Sequence, residues 1–149
     1  MGTPFKEVNN AFLGRIEQDE WSLTSDLGNP ERDWFELMKM AIARFMFPRV
    51  SLEFNQEEEC FVEELGQEEI QFLAVLMKNE WLKRCLATWR VIQQQYHTKD
   101  FEFLSQANHM SKLIDLVELS NREVLIMTNV YGRMRNHQPF NWSQLAGGK

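Results

Sequence analysis

QEEIQFLAVLMKNEWLKRCLATWRVIQQQY, residues Gln67 to Tyr96, decides the fold. Ile70, Leu73, Met77, Trp81, Cys85, Trp89, Ile92 and Tyr96 recur at steps of three and four, which places them on one stripe of a helix. A second, shorter stripe of Phe72, Val75, Leu82 and Leu86 lies beside the first. With no glycine or proline inside the stretch, it reads as one helix of about 45 Å. An apolar face this wide must pack against more than one neighbour.

Upstream, Asn29 suits a helix N-cap and Pro30 suits the first helical position. Glu31 and Asp33 favour the positive end of the helix dipole. Trp34, Leu37, Met38, Ala41, Ile42 and Phe45 give one apolar stripe, so a helix is expected from Pro30 to Phe45. Pro48 stops it, because proline disfavours helix at the residue before it. Arg49 to Glu53 reads as a short extended link, followed by an acidic stretch and a turn at Gly66.

Downstream, His97 to Leu104 reads as a connector, and Ser105 is the expected cap of a third helix running to about Arg135. The stripe of that helix is Met110, Leu113, Ile114, Val117, Val124, Thr128 and Tyr131. Leu116, Leu125 and Ile126 fall off it, and apolar residues on a second face suggest a partner surface. The expected fold class is therefore all-α: an antiparallel pair of long helices, a shorter helix packed across it, and extended terminal arms.

The ends carry no clear period. Residues 1–29 are punctuated by Gly2, Pro4, Gly14 and Gly28, with room for a short helix from about Asn9 to Glu20, and they are too apolar for a plain linker. They read as an arm that packs on something, 30–135 as the helical core, and 136–149 as a docking tail. Trp21, Phe140 and Trp142 lie outside the long helices and are the candidate docking anchors. The two tail aromatics either tuck back onto the helices or anchor in a partner's groove.

The chain has 149 residues, enough for one domain with a core of moderate size, and 44% of them are hydrophobic. Its formal net charge is -6, and no run of Lys and Arg supplies the concentrated basic face that phosphates need. From Ser51 to Met77 there are eight glutamates and no basic residue. Within that run Glu57, Glu58, Glu59, Glu63 and Glu64 read first as a solvated face, and second as a surface that repels nucleic acid.

Signatures of chemistry are missing. No phosphate-binding glycine loop, HExxH or nucleophile elbow occurs. The histidines are His97, His109 and His137, and none completes the Glu-x-x-His pair of a helical-bundle metal centre. His109 is expected to cap or to hydrogen-bond across the helix pair. The glutamate cluster lacks the spacing of a calcium loop. Cys60 and Cys85 have no partner spacing and read as free thiols of a reducing compartment. No enzyme activity, cofactor or metal is expected, and no apolar run is long enough for a leader or a membrane span.

The segment Phe101–Leu113, FEFLSQANHMSKL, taken with EEIQFLAVLMKNEWLKRCLATWRVIQQQY before it, resembles proteins encoded among the virion structural genes of tailed phages and prophages. The likeness covers roughly Phe35 to Arg135 and looks like the head–tail connector group, also called adaptor or neck proteins. The resemblance implies a small helical virion protein without catalytic residues, made in the host bacterial cytoplasm. It implies a homo-oligomeric ring, commonly of twelve copies, between the portal protein and a stopper or tail-completion protein. DNA would slide through such a ring without specific binding, which an acidic stretch would suit. The alternatives are a small DNA-handling or packaging subunit, which would show a basic helix face, and a small helical-bundle enzyme, which would hold a metal or cofactor.

Overall fold

The computed structural model describes residues 2–16, 30–95 and 103–135, with side chains placed for 2–16, 33–91 and 108–133. The described elements are helix α1 (Phe5–Gly14), helix α2 (Pro30–Arg44), strands β1 (Phe54–Asn55) and β2 (Cys60–Phe61), and helices α3 (Gln67–Gln95) and α4 (Phe103–Arg135). The fold is all-α, with one very short hairpin.

Helix α3 is the hub. Phe72, Leu73, Ala74, Val75, Leu76 and Met77 are six consecutive buried residues, so the helix is surrounded on every side at this level. Its long neighbour α4 runs antiparallel to it. Tyr131 meets Glu69, Ser120 and Asn121 meet Asn79, and the His109 ring meets Trp89, so rising numbers on one helix face falling numbers on the other. Leu113, Val117 and Tyr131 are the buried positions of the α4 stripe.

Helix α2 also packs antiparallel to α3, from an Asp33–Arg84 ion pair at 3.5 Å to a Phe45–Phe72 ring contact at 4.7 Å. It ends at Arg44, four residues before Pro48, where the chain turns through Phe47 at a φ of 55°. That left-handed conformation is uncommon for a non-glycine residue.

The stretch expected to be an arm is, over residues 2–16, part of the core. Pro4 adopts φ -64°, ψ 143° and starts α1 at Phe5, earlier than the Asn9 start expected from sequence. Phe5, Val8 and Phe12 then follow the helical period and are buried among α2, α3 and the hairpin. The Phe5 ring packs against Trp34, Phe35, Phe54 and Phe61 at centroid distances of 5.4–6.2 Å. Residues 17–29 and 136–149 lie outside the described residues, and with them Trp21, Phe140, Trp142 and the later part of the Asn9–Glu20 helix.

The hairpin was not expected either. Phe54 pairs with Phe61 and Asn55 with Cys60 in an antiparallel register. The turn between them starts with Asn55, whose Oδ1 accepts from the Glu57 N–H at 3.0 Å, and it closes through Glu59 at φ 50°. The N-terminal segment lies along the other edge of β2. Thr3 N donates to Glu63 O, Phe61 N to Thr3 O, and Phe5 N to Glu59 O. The backbone approaches so closely that a Cβ on Gly2 would lie 1.5 Å from the Phe61 carbonyl oxygen.

Helix α4 begins at Phe103, so Ser105 sits inside the helix and does not cap it, and Phe103 and Leu104 belong to the helix instead of the connector.

Candidate interaction surface

Between α3 and α4 lies a polar layer. Asn79 is fully buried and its three neighbours satisfy it. Its Nδ2 donates to Ser120 Oγ at 3.1 Å and to Asn121 Oδ1 at 2.9 Å, and its Oδ1 accepts from Arg44 Nη1 at 2.8 Å. Arg44 also pairs with Glu80. This layer ties three helices together in one register, a common use of a satisfied buried polar group.

A second polar cluster closes one end of the helix pair. Tyr131 Oη donates to Glu69 Oε1 at 3.0 Å and accepts from the Arg49 backbone N–H at 2.8 Å. The Arg49 guanidinium lies 4.6 Å from the Tyr131 ring centroid and reaches Glu68 at 3.3 Å. Burial chiefly, and the Glu69 carboxylate in addition, raise the Tyr131 phenol above its ordinary pKa. Both clusters hold elements together.

Of the three histidines singled out from sequence, His97 and His137 lie outside the described residues. Among the described residues no group of three His, Cys, Asp or Glu side chains is placed to hold a metal ion. The His109 ring stacks on Trp89 at 4.6 Å, and among the described residues its buried Nε2 has no hydrogen-bond partner, nor has Trp89 Nε1. The described contact of His109 across the pair is thus aromatic, where a cap or a hydrogen bond was expected. Cys85 is buried and its thiol is pushed up to about 12 by burial, which keeps it protonated and unreactive. Cys60 is half-buried, free, and 3.8 Å from Glu58.

The structure concentrates the exposed acids. Glu57, Glu58 and Glu59 form the hairpin turn, and Glu63 and Glu64 follow β2, all five exposed. Glu68 and Glu69, by contrast, belong to the first turn of α3, where they favour its positive end, and Glu69 is buried against Tyr131.

Among the described residues, Met40 on α2 and Val91 near the end of α3 are single exposed apolar side chains, and others occur in three further places. Met46 and Phe47 stand out from the loop after α2, exposed at 65% and 67%. Val62 is exposed among the hairpin glutamates. On α4, Leu119, Leu125, Ile126 and Val130 are exposed, whereas Leu116 is partly buried against the core. Leu125 and Ile126 were readable from sequence as off-stripe positions; Leu116 is corrected to a core contact. Leu119 and Val130 were missed, although the same helical count finds them. The Met46–Phe47 pair carried no sequence signal beyond its place before Pro48.

Among the described residues no helix is long and apolar enough to cross a membrane. No protein-family model, curated protein or solved structure matches the chain.

Proposed function

We propose that this chain is a non-enzymatic structural protein of a phage neck, assembling as a ring between the portal and a stopper or tail-completion protein. The observation that carries the reading is the set of exposed apolar side chains on α4, whose opposite face packs on α3, and on the loop after α2. Leu119, Ile126 and Val130 on α4, and Met46 and Phe47 beside its far end, have the character of surfaces meant to be covered. The resemblance of Phe101–Leu113 and of α3 to connector proteins gives that surface its context. Repeated around a ring of some twelve copies, individually weak contacts become a stable joint.

The hairpin supports the same reading through its charge. Five exposed glutamates within eight residues, Glu57 to Glu64, make a surface that repels the phosphate backbone, which suits a wall past which DNA slides. The same charge weighs against the alternative of a DNA-handling subunit, whose low-salt gel shift would be positive. In this reading Trp21, Phe140 and Trp142 anchor the ends of the chain in the neighbouring components, and the mature protein resides in the virion after synthesis in the host cytoplasm.

The test is native mass spectrometry of the protein mixed with the portal encoded beside it. A discrete complex with one copy per portal subunit is expected. An intact portal that binds none of it overturns the neck reading.

A further inference from the structure

Along the outer side of α4, Asp115, Leu119, Ile126, Val130 and Arg133 fall within an arc of about 60° when counted at 100° per residue. This stripe is about 27 Å long, and it points away from the face that packs on α3 through Leu113, Val117 and Tyr131. Its middle is apolar: Leu119 is 59% exposed, Ile126 60% and Val130 40%. Lys112 falls in the same arc beyond Asp115, and Arg122 lies about 20° outside it. The outermost charged positions that mirror each other within the described residues are Asp115 and Arg133, which carry opposite charges. Asp115 stands at one end and Arg133 at the other, and among the described residues neither makes an ion pair.

That order of residues is self-complementary. Asp115 and Arg133 are symmetric about position 124, since (115 + 133)/2 = 124. Leu119 and Val130 are symmetric about nearly the same point, since (119 + 130)/2 = 124.5, and Ile126 lies within two residues of it. A second α4 laid antiparallel on the first, with a twofold axis at this level, sets Leu119 of each copy against Val130 of the other. It brings the two Ile126 side chains together near the axis. It also places each unpaired Arg133 opposite the other copy's Asp115. A parallel arrangement would instead set Arg133 on Arg133 and Asp115 on Asp115.

We infer that the outer face of α4 is a docking site for a second copy of this chain, in an antiparallel, twofold-symmetric contact centred at the level of position 124. Six apolar side chains, three from each copy, and two surface ion pairs cover less than the roughly 1,600 Å² of a standard stable interface, so the dimer is weak and concentration-dependent. A twofold contact closes on itself, whereas a ring needs head-to-tail contacts, so this dimer and the neck ring are alternative uses of the same α4 face; portal binding tests the ring, and self-association in solution tests the dimer.

Sedimentation equilibrium of the full chain and two single variants tests it. The wild type is expected to dimerise reversibly. Arg133→Glu and Asp115→Lys each replace two attractions by two repulsions and are expected to weaken self-association about tenfold. An equimolar mixture of the two variants is expected to recover the wild-type strength, because an antiparallel heterodimer pairs Glu with Lys at one end and Asp with Arg at the other. Both positions are on the surface, and unchanged helicity in circular dichroism confirms that each variant is folded. A wild type that stays monomeric up to about 1 mM, a regime in which even weak dimers populate, overturns the inference. So does a mixture that associates no better than its components.

Discussion

The phenol of Tyr131 donates a hydrogen bond of 3.0 Å to the carboxylate of Glu69, joining the last turns of α4 to the first turn of α3 across 62 residues of chain. Glu69 is buried, and a Cβ on Gly66 would come 2.6 Å from its other carboxylate oxygen, so the acid is fitted tightly between a glycine and a tyrosine. Removing the hydroxyl leaves a buried carboxylate short of a partner, which costs more than the net value of the bond. Tyr131→Phe is therefore expected to lower stability by about 2 kcal/mol in urea unfolding, and Glu69→Gln in that background to recover part of the loss.

Asn79 makes three side-chain hydrogen bonds to α2 and α4 from a fully buried position. Asn79→Ala opens a small cavity and strands Asn121 and Ser120 together. A loss of about 3 kcal/mol is expected, larger than for any exposed polar residue of the same helix. The thermal unfolding midpoint measures it; an unchanged midpoint would show that the polar layer carries no stability.

Gly2 lies so close to β2 that an added methyl group would overlap the Phe61 carbonyl. Gly2→Ala is expected to detach the N-terminal segment from the hairpin while leaving α3 and α4 intact. Hydrogen exchange reads this directly, as faster exchange at the Phe61 amide, which donates to Thr3 O in the native protein.

The two cysteines should separate cleanly in a thiol assay. Cys60 is expected to react with an aromatic disulfide in the native state, and Cys85 only on unfolding. Burial raises Cys85 from its ordinary 9.0 to about 12, so between these pH values the unfolded chain has lost a proton that the native chain still holds. Stability from this group is fully present below about pH 9 and falls as pH rises toward 12. Cys85→Ala should flatten that slope in alkaline unfolding curves.

Replacing Phe140 and Trp142 together by Ala is expected to abolish incorporation into particles and to leave helicity unchanged. Retained incorporation would remove the tail from the docking scheme.

The helices were written into the sequence because their causes are local. Pro30 and Pro48 bracket α2, and an uninterrupted 3.6-residue period with no glycine or proline gives α3 from Gln67 nearly to its end. The off-stripe Leu125 and Ile126 already announced an exposed apolar face on α4. The N-terminal residues 2–16 were decided elsewhere. Phe5, Val8 and Phe12 show a helical period too short to separate core from arm, and they become core only because the aromatic cluster of Trp34, Phe35, Phe54 and Phe61 surrounds Phe5. Two-residue strands leave no periodic trace, so the hairpin exists through its register with Phe61 and through backbone bonds from Thr3 and Phe5, nearly sixty residues away. Local spacing fixes which residues can form a helix and which face is apolar. Which faces are then covered depends on long-range packing, and it is the tertiary structure that leaves Leu119, Ile126 and Val130 bare between Asp115 and Arg133.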